Sequence, residues 1–215
     1  MHAIDVRNNL LTFITAGHET TALALTWTFY LLSLHPDIER RVKDEIAAVT
    51  GGGALHAEHV DALAYTNQVI QEAMRLYPPA AVIVRSARRD IELDNEQIRA
   101  GTTIYVPVYA VHRHEKLWCD PARFDPSRFE SEAIKTRDRY SYLPFGAGPR
   151  VCIGQSFAQR EAVAVLATLL SFFQLRLPPG HVPKLRLRGT LRPTGGMPMK
   201  IAADSACSSS LRRCS

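Results

Sequence analysis

FGAGPRVCIGQ, residues 145–155, sets one cysteine, Cys152, among three glycines, Gly146, Gly148 and Gly154. Pro149 and Arg150 precede the cysteine. The run that follows, IGQSFAQREAVAVLATLLSFF, has the period of a helix of about five turns. A phosphate cradle does not fit. Gly154 is followed by Gln155 rather than by lysine and a hydroxyl residue, Val151 breaks a GxGxxG pattern, and Pro149 lacks the backbone donor such a loop uses. A free cysteine is ordinarily a small buried hydrophobe. Here a helix N-terminus, nearby amides and the Arg150 cation all favour the thiolate. Such a thiolate is either a nucleophile or a metal ligand, and no neighbouring histidine is implied that would activate a nucleophile.

The rest of the composition narrows the choice of class. The chain has 215 residues, 46% of them apolar, which suffices for a core. The net charge of +5 is clustered at Arg40, Arg41 and Lys43, at Arg85, Arg88 and Arg89, and at Lys135, Arg137 and Arg139. That pattern suits an acidic protein partner or a solvated surface and gives no sign of nucleic acid. The four cysteines, at 119, 152, 207 and 214, have neither CxxC spacing nor a disulfide framework, so a reducing, cytoplasmic setting is expected. No signal peptide is expected at the start. Residues Asn9 to Leu34 are long enough to span a bilayer, but His18 and Glu19 sit at the centre and six threonines lie along the segment. An ionisable pair at mid-membrane costs about 3 kcal/mol per group, so a buried helix is expected and no membrane span.

Hydrophobic periodicity predicts helices over about Ile4 to Leu34, Pro36 to Val49 and Ala64 to Leu76. VIVRSA, DIEL, QIRA and TTIYVPV have strand character, with Asp94-Asn95 as a hairpin turn. A short helix is expected at YAVHRHE. Residues 117–150, rich in Pro, Asp and Arg, then form a loop too long to be idle. Short strands are expected near 173–177, 184–191 and 197–202. The whole is mainly α with small β-sheets, an α+β fold. One domain covers residues 1–202, and the Ser-, Cys- and Arg-rich tail 203–215 is expected to be disordered.

Two further stretches stand out. In AGHETT, residues 16–21, glycine and two threonines fall mid-helix around Glu19, where Gly and Thr are locally unfavourable. Such conflicts are expected at functional sites. In QEAMRLYPP, Glu72 and Arg75 stand three apart on one helical face and can pair. His56 and His59 lack a third partner and are discounted as a metal site, and His112 reads as structural.

Together these stretches resemble the cytochrome P450 superfamily. FGAGPRVCIG matches its cysteine-ligand loop, FxxGxRxCxG, with Phe145, Gly148, Arg150, Cys152 and Gly154 at the fixed positions. AGHETT is similar to the distal-helix motif. The resemblance implies a local opening of that helix beside Ala16 and Gly17, with Glu19 and Thr20 relaying protons to dioxygen. Glu72 and Arg75 resemble the ExxR pair, and FDPSRF supplies Arg128 as the third member of a structural network. Arg85 and Arg150 resemble the arginines that hold haem propionates, and Val82 and Ile83 would line the distal pocket with Ala16 and Gly17.

The implied protein is a haem-thiolate monooxygenase. Its cofactor is haem b (iron protoporphyrin IX) with Cys152 as axial metal ligand, and it inserts one atom of O2 into a small apolar substrate. No flavin, nicotinamide or iron–sulfur motif occurs. Electrons are therefore expected from an external ferredoxin or flavin reductase, docked on the basic side around Arg137, Arg139 and Arg150. The motif order is that of the C-terminal half alone, and Met1 falls where the distal helix would begin. A truncated enzyme is expected, or alternatively a non-catalytic remnant that does not hold haem stably.

Overall fold

The computed structural model describes residues 2–204. The chain opens with α1, Ala3–Leu34, a single helix of 32 residues. Its N-terminus is capped by Asp5, whose carboxylate accepts the His2 amide at 3.0 Å. Helix α2, Pro36–Thr50, starts on proline with Asp37 and Glu39 in the first turn and stops at Gly51. Gly51 has φ +62, a left-handed cap that glycine adopts without a Cβ penalty. After a 3₁₀ turn, Ala57–Ala62, comes α3, Ala64–Leu76. The orphan donors of its first turn are met from another helix. Glu45 accepts the amides of Tyr65 at 2.7 Å and Thr66 at 2.8 Å, and the Thr66 hydroxyl at 2.7 Å.

The middle of the chain is short elements. Strands β1, Ile83–Ser86, and β4, Thr103–Val106, pair antiparallel with Arg85 opposite Ile104. Between them β2, Ile91–Leu93, and β3, Glu96–Ile98, form a hairpin. Asp94 and Asn95 both have positive φ, as a two-residue turn of that type requires. Helix α4 is Val108–Val111, shorter than the segment expected, because the chain turns at His112. The long connection to the Cys152 loop contains a 3₁₀ turn, Pro126–Phe129, and a helix that periodicity missed, α5, Ser131–Thr136. Helix α6, Gln155–Phe172, runs into β5, Phe173–Arg176. Strands β6, Leu185–Arg188, and β7, Thr190–Pro193, make a hairpin, and β8, Lys200–Ala203, pairs with β5.

Among the described residues helices thus dominate, and the strands form four separate two-stranded sheets. Ala203 pairs with Phe173, and the Asp204 amide donates to the Phe172 carbonyl at 2.8 Å. The remainder of the expected tail lies outside the described residues.

The core joins α1, α3 and α6. Leu32, Val69, Ala73, Leu166, Ala167 and Leu170 are buried together. Each buried leucine or valine contributes about 1.5–3 kcal/mol by leaving water. Trp27, fully buried, stacks on Tyr77 at 4.3 Å and donates its indole N–H to Leu191 at 3.1 Å, which pins β7 to α1. Burial on α1 begins only at Thr21, and residues 2–18 are exposed on every side. Among the described residues, no helix is long and apolar enough to cross a membrane.

Candidate functional site

The Cys152 loop is built by glycine geometry. Gly146 and Gly148 have φ of +76 and +72, which a side chain would strain. These turns fold the chain back so that the Cys152 amide donates to the Phe145 carbonyl at 3.0 Å. Phe145 packs against the helical core and anchors the near end of the loop. Cys152 stands three residues ahead of α6, and its carbonyl accepts the Gln155 amide at 3.3 Å. Its thiol is exposed. A Cβ placed on Gly154 would lie 3.9 Å from the Cys152 sulfur, so glycine keeps that side open. Across the loop, Gly146 faces the side chain of Ile83 on β1, where a Cβ would meet it at 3.7 Å.

Behind this loop lies a buried ionic network. Arg75 donates to Glu72 through Nε at 2.6 Å and Nη2 at 2.8 Å, a bidentate pair in which both side chains are 0% exposed. Arg75 also donates to the carbonyls of His112 and Pro121, each at 2.8 Å, and of Arg123 at 3.0 Å. Glu72 accepts the Asp125 amide at 2.9 Å. Arg128 stands 3.5 Å from Glu72, an ion pair rather than a hydrogen bond, and its Nη2 donates to Asp120 at 2.9 Å. Burial pushes the Glu72 carboxyl above its ordinary range, against the pull of Arg75. Glu72, Arg75 and Arg128 are therefore brought together, and they tie the long connection to α3.

A layer of aromatic side chains continues the network. Arg137 lies over Phe129 at 4.6 Å, Trp118 at 5.1 Å and Tyr142 at 5.4 Å, and donates to the Arg128 carbonyl at 3.0 Å. The Tyr142 hydroxyl donates to Gln71 on α3 at 2.9 Å, and burial pushes its pKa well above the ordinary value. His112 is 0% exposed and accepts the Leu143 amide at Nε2, 2.7 Å away. Loss of hydration lowers its pKa to about 4, opposed by the carbonyls of Arg75 and Met74.

The other motif residues are placed differently. Helix α1 is unbroken through residues 16–21, so the local opening expected there is absent. Within the unbroken helix the Thr20 hydroxyl donates back to the Ala16 carbonyl at 2.8 Å. Ala16 and Gly17 are exposed, and a Cβ on Gly17 would meet nothing within 4 Å. Glu19 does not pair with Thr20. It accepts the Thr190 hydroxyl at 2.8 Å and an ion pair from Arg192, both on β7. Neither partner was legible in the sequence, since more than 170 residues of chain separate them from Glu19. Arg85 is exposed and donates to the Val84 carbonyl at 2.9 Å. Arg150 closes the 3₁₀ turn Gly148–Arg150, exposed and with no side-chain partner among the described residues. Val82 and Ile83 are half-buried. His59 turns back on its own turn to accept the His56 amide at 3.1 Å.

An exposed thiol stands at a helix head, in a loop tied to a buried ionic network, and comparison with known proteins gives the family. The model of the cytochrome P450 family matches residues 1–200, and the chain belongs to that family. It is 41% identical over 192 residues to a putative cytochrome P450 132 of Mycobacterium bovis, covering 89% of this chain and 41% of that protein. It is 37% identical over 203 residues to pentalenene oxygenase of Streptomyces avermitilis, covering 89% and 45%. The crystal structure of the cytochrome P450DA heme domain superposes with TM-score 0.90 at 30% identity, covering 96% of this chain and 46% of that one. The chain thus spans less than half the length of the relatives it matches.

Membership implies a haem iron held by a cysteine thiolate. The residues present fit that group. The thiol is exposed, Gly154 leaves its approach open, and Arg150 and Arg85 offer guanidinium groups suited to carboxylates.

Proposed function

We propose that this chain is the haem-carrying C-terminal part of a haem-thiolate monooxygenase acting on a small apolar substrate. The observation that carries the reading is the exposed Cys152 thiol, held at the head of α6 by a loop that only glycine can turn. Haem, when bound, would supply the redox chemistry that activates O2, and the Cys152 sulfur would hold it. Arg150 and Arg85 would bind the propionates through their planar donor forks. Glu19 and Thr20 would hold and pass protons. Glu19 would do so after releasing Arg192, and Thr20 by turning its hydroxyl from the Ala16 carbonyl. Electrons would come from an external ferredoxin or flavin reductase meeting the exposed Arg139 and Arg150, whereas Arg137, expected on the same side, is turned in over Phe129, Trp118 and Tyr142.

The test is the absorbance of reduced, carbon-monoxide-treated protein after haem loading. A Soret band at the red position of thiolate ligation is expected, and it should be absent in Cys152→Ala. A second reading, a remnant that does not hold haem, is favoured by the exposure of residues 2–18 of α1 on every side, including Leu10, Leu11, Phe13 and Ile14. Purification with added haem separates the two. A coloured, monodisperse product supports the first, and a colourless, aggregating one the second.

A further inference from the structure

We propose that His112 is a positioning residue for the Cys152 loop, joining that loop to the buried Glu72–Arg75 network through one side chain and its own carbonyl. His112 caps α4 and is 0% exposed. Its carbonyl accepts Arg75 Nη1 at 2.8 Å, and its Nε2 lies 2.7 Å from the Leu143 amide nitrogen. A backbone amide can only donate, so Nε2 carries the lone pair and the ring proton of the neutral tautomer sits on Nδ1. Leu143 stands two residues before Phe145, whose carbonyl holds the Cys152 amide at 3.0 Å. The chain of contacts therefore runs from Glu72 through Arg75 and His112 to Leu143, and on to the cysteine loop. Tyr142 supplies a parallel tie through its hydroxyl to Gln71 and stacks on the imidazole with centroids 5.1 Å apart.

A ring that merely fills space would need only that stack. The acceptor at Nε2 is the feature a packing role does not require, because an unmet Leu143 amide in this half-buried loop would lose its hydrogen bond. The proposal rests on the Cys152 reading for its chemical meaning, but its geometry stands without haem.

The experiment is residue-resolved amide hydrogen exchange on the full chain, in wild type, His112→Phe and His112→Gln. Phenylalanine keeps the stack on Tyr142 and removes the acceptor. Glutamine places an amide oxygen at the reach of Nε2. In His112→Phe the Leu143 amide should exchange roughly tenfold faster or more, with the Cys152 amide following it. The Asp125 amide, held by Glu72, should keep its rate, and His112→Gln should restore Leu143 to within a few-fold of wild type. Unchanged Leu143 protection in His112→Phe overturns the proposal. So does a His112→Gln protein that fails to fold or leaves Leu143 unprotected, and this arm decides the matter if His112→Phe does not fold. The exchange is read without haem, so failure of the haem-thiolate assignment would show separately, in the Soret band.

Discussion

Glu72 and Glu19 are both held by arginine, yet the two sites differ in what water can do. Glu72 and Arg75 are 0% exposed, and every donor of the guanidinium group finds an oxygen. Glu19 and Arg192 are 44% and 39% exposed on the flank of α1. Inside, removal of one partner strands the other without solvent. Outside, water replaces whatever is lost. The first pair is a frame that fixes the long connection and, through His112, the Cys152 loop. The second can be exchanged at low cost, as the proposed release of Glu19 from Arg192 requires.

The hardest blow to that contrast is Arg75→Ala. It leaves the Glu72 carboxylate buried beside only Arg128 and the Asp125 amide, and abandons three carbonyls. A loss of about 3–5 kcal/mol is expected in urea unfolding followed by circular dichroism. Arg75→Lys should recover little of it, because one ammonium group cannot reach five oxygens placed around a planar fork. A cost below about 1 kcal/mol for Arg75→Ala would remove the distinction between frame and flank.

The next largest effect is that of pH on His112. Its pKa is about 4 in the folded chain against 6.5 for the free group. Between these values the unfolded chain takes up a proton that the folded chain refuses. Stability from this group is therefore complete above pH 6.5 and falls as pH drops towards 4, by about 3 kcal/mol in all. Below pH 4 this group adds no further loss. Denaturation midpoints measured from pH 7 to 4 should show the slope in wild type and a shallower one in His112→Gln. Equal slopes would mean that other groups govern acid sensitivity.

The two regions were also unequally legible. The Glu72–Arg75 pair follows from i, i+3 spacing on one face of α3, and the apolar periods of α2, α3 and α6 predict those helices closely. The Cys152 loop was legible because glycines mark the positions of positive φ. The Glu19 cluster was not, because its partners lie on β7 and no local pattern links Thr190 and Arg192 to a helix so far back in the chain. His112 could be read as structural, but its acceptor role depends on Leu143 arriving from a loop 31 residues later. The helix α5 escaped detection for another reason. Six residues with an exposed face carry no apolar stripe long enough to register a period.

Arg192→Gln tests the outer site and should cost no more than about 1 kcal/mol in 0.1 M salt. The difference from wild type should shrink in 1 M salt, where the screening length falls to about 3 Å. β7 should stay in place, since Trp27 still donates to the Leu191 carbonyl. A loss as large as that of Arg75→Ala would mean that the Glu19 pair is part of the frame, and its proposed release from Arg192 would then be too costly for proton delivery.

The smallest expected change in stability accompanies the largest expected change in chemistry. The Cys152 sulfur is exposed, and the loop's own hydrogen bond uses its backbone amide, which alanine retains. Cys152→Ala should therefore shift the unfolding free energy by no more than about 0.5 kcal/mol while abolishing the thiolate Soret band. Cys119→Ala, at the other exposed cysteine among the described residues, should leave both quantities alone. If Cys152→Ala unfolds the chain, the sulfur is a packing group rather than a presented ligand. If the band survives Cys152→Ala, some other side chain meets the iron, and the glycine-turned loop has no ligand to present. Only a separation of the two effects, with stability kept and the band lost, places the function in one atom that the buried frame supports but does not need.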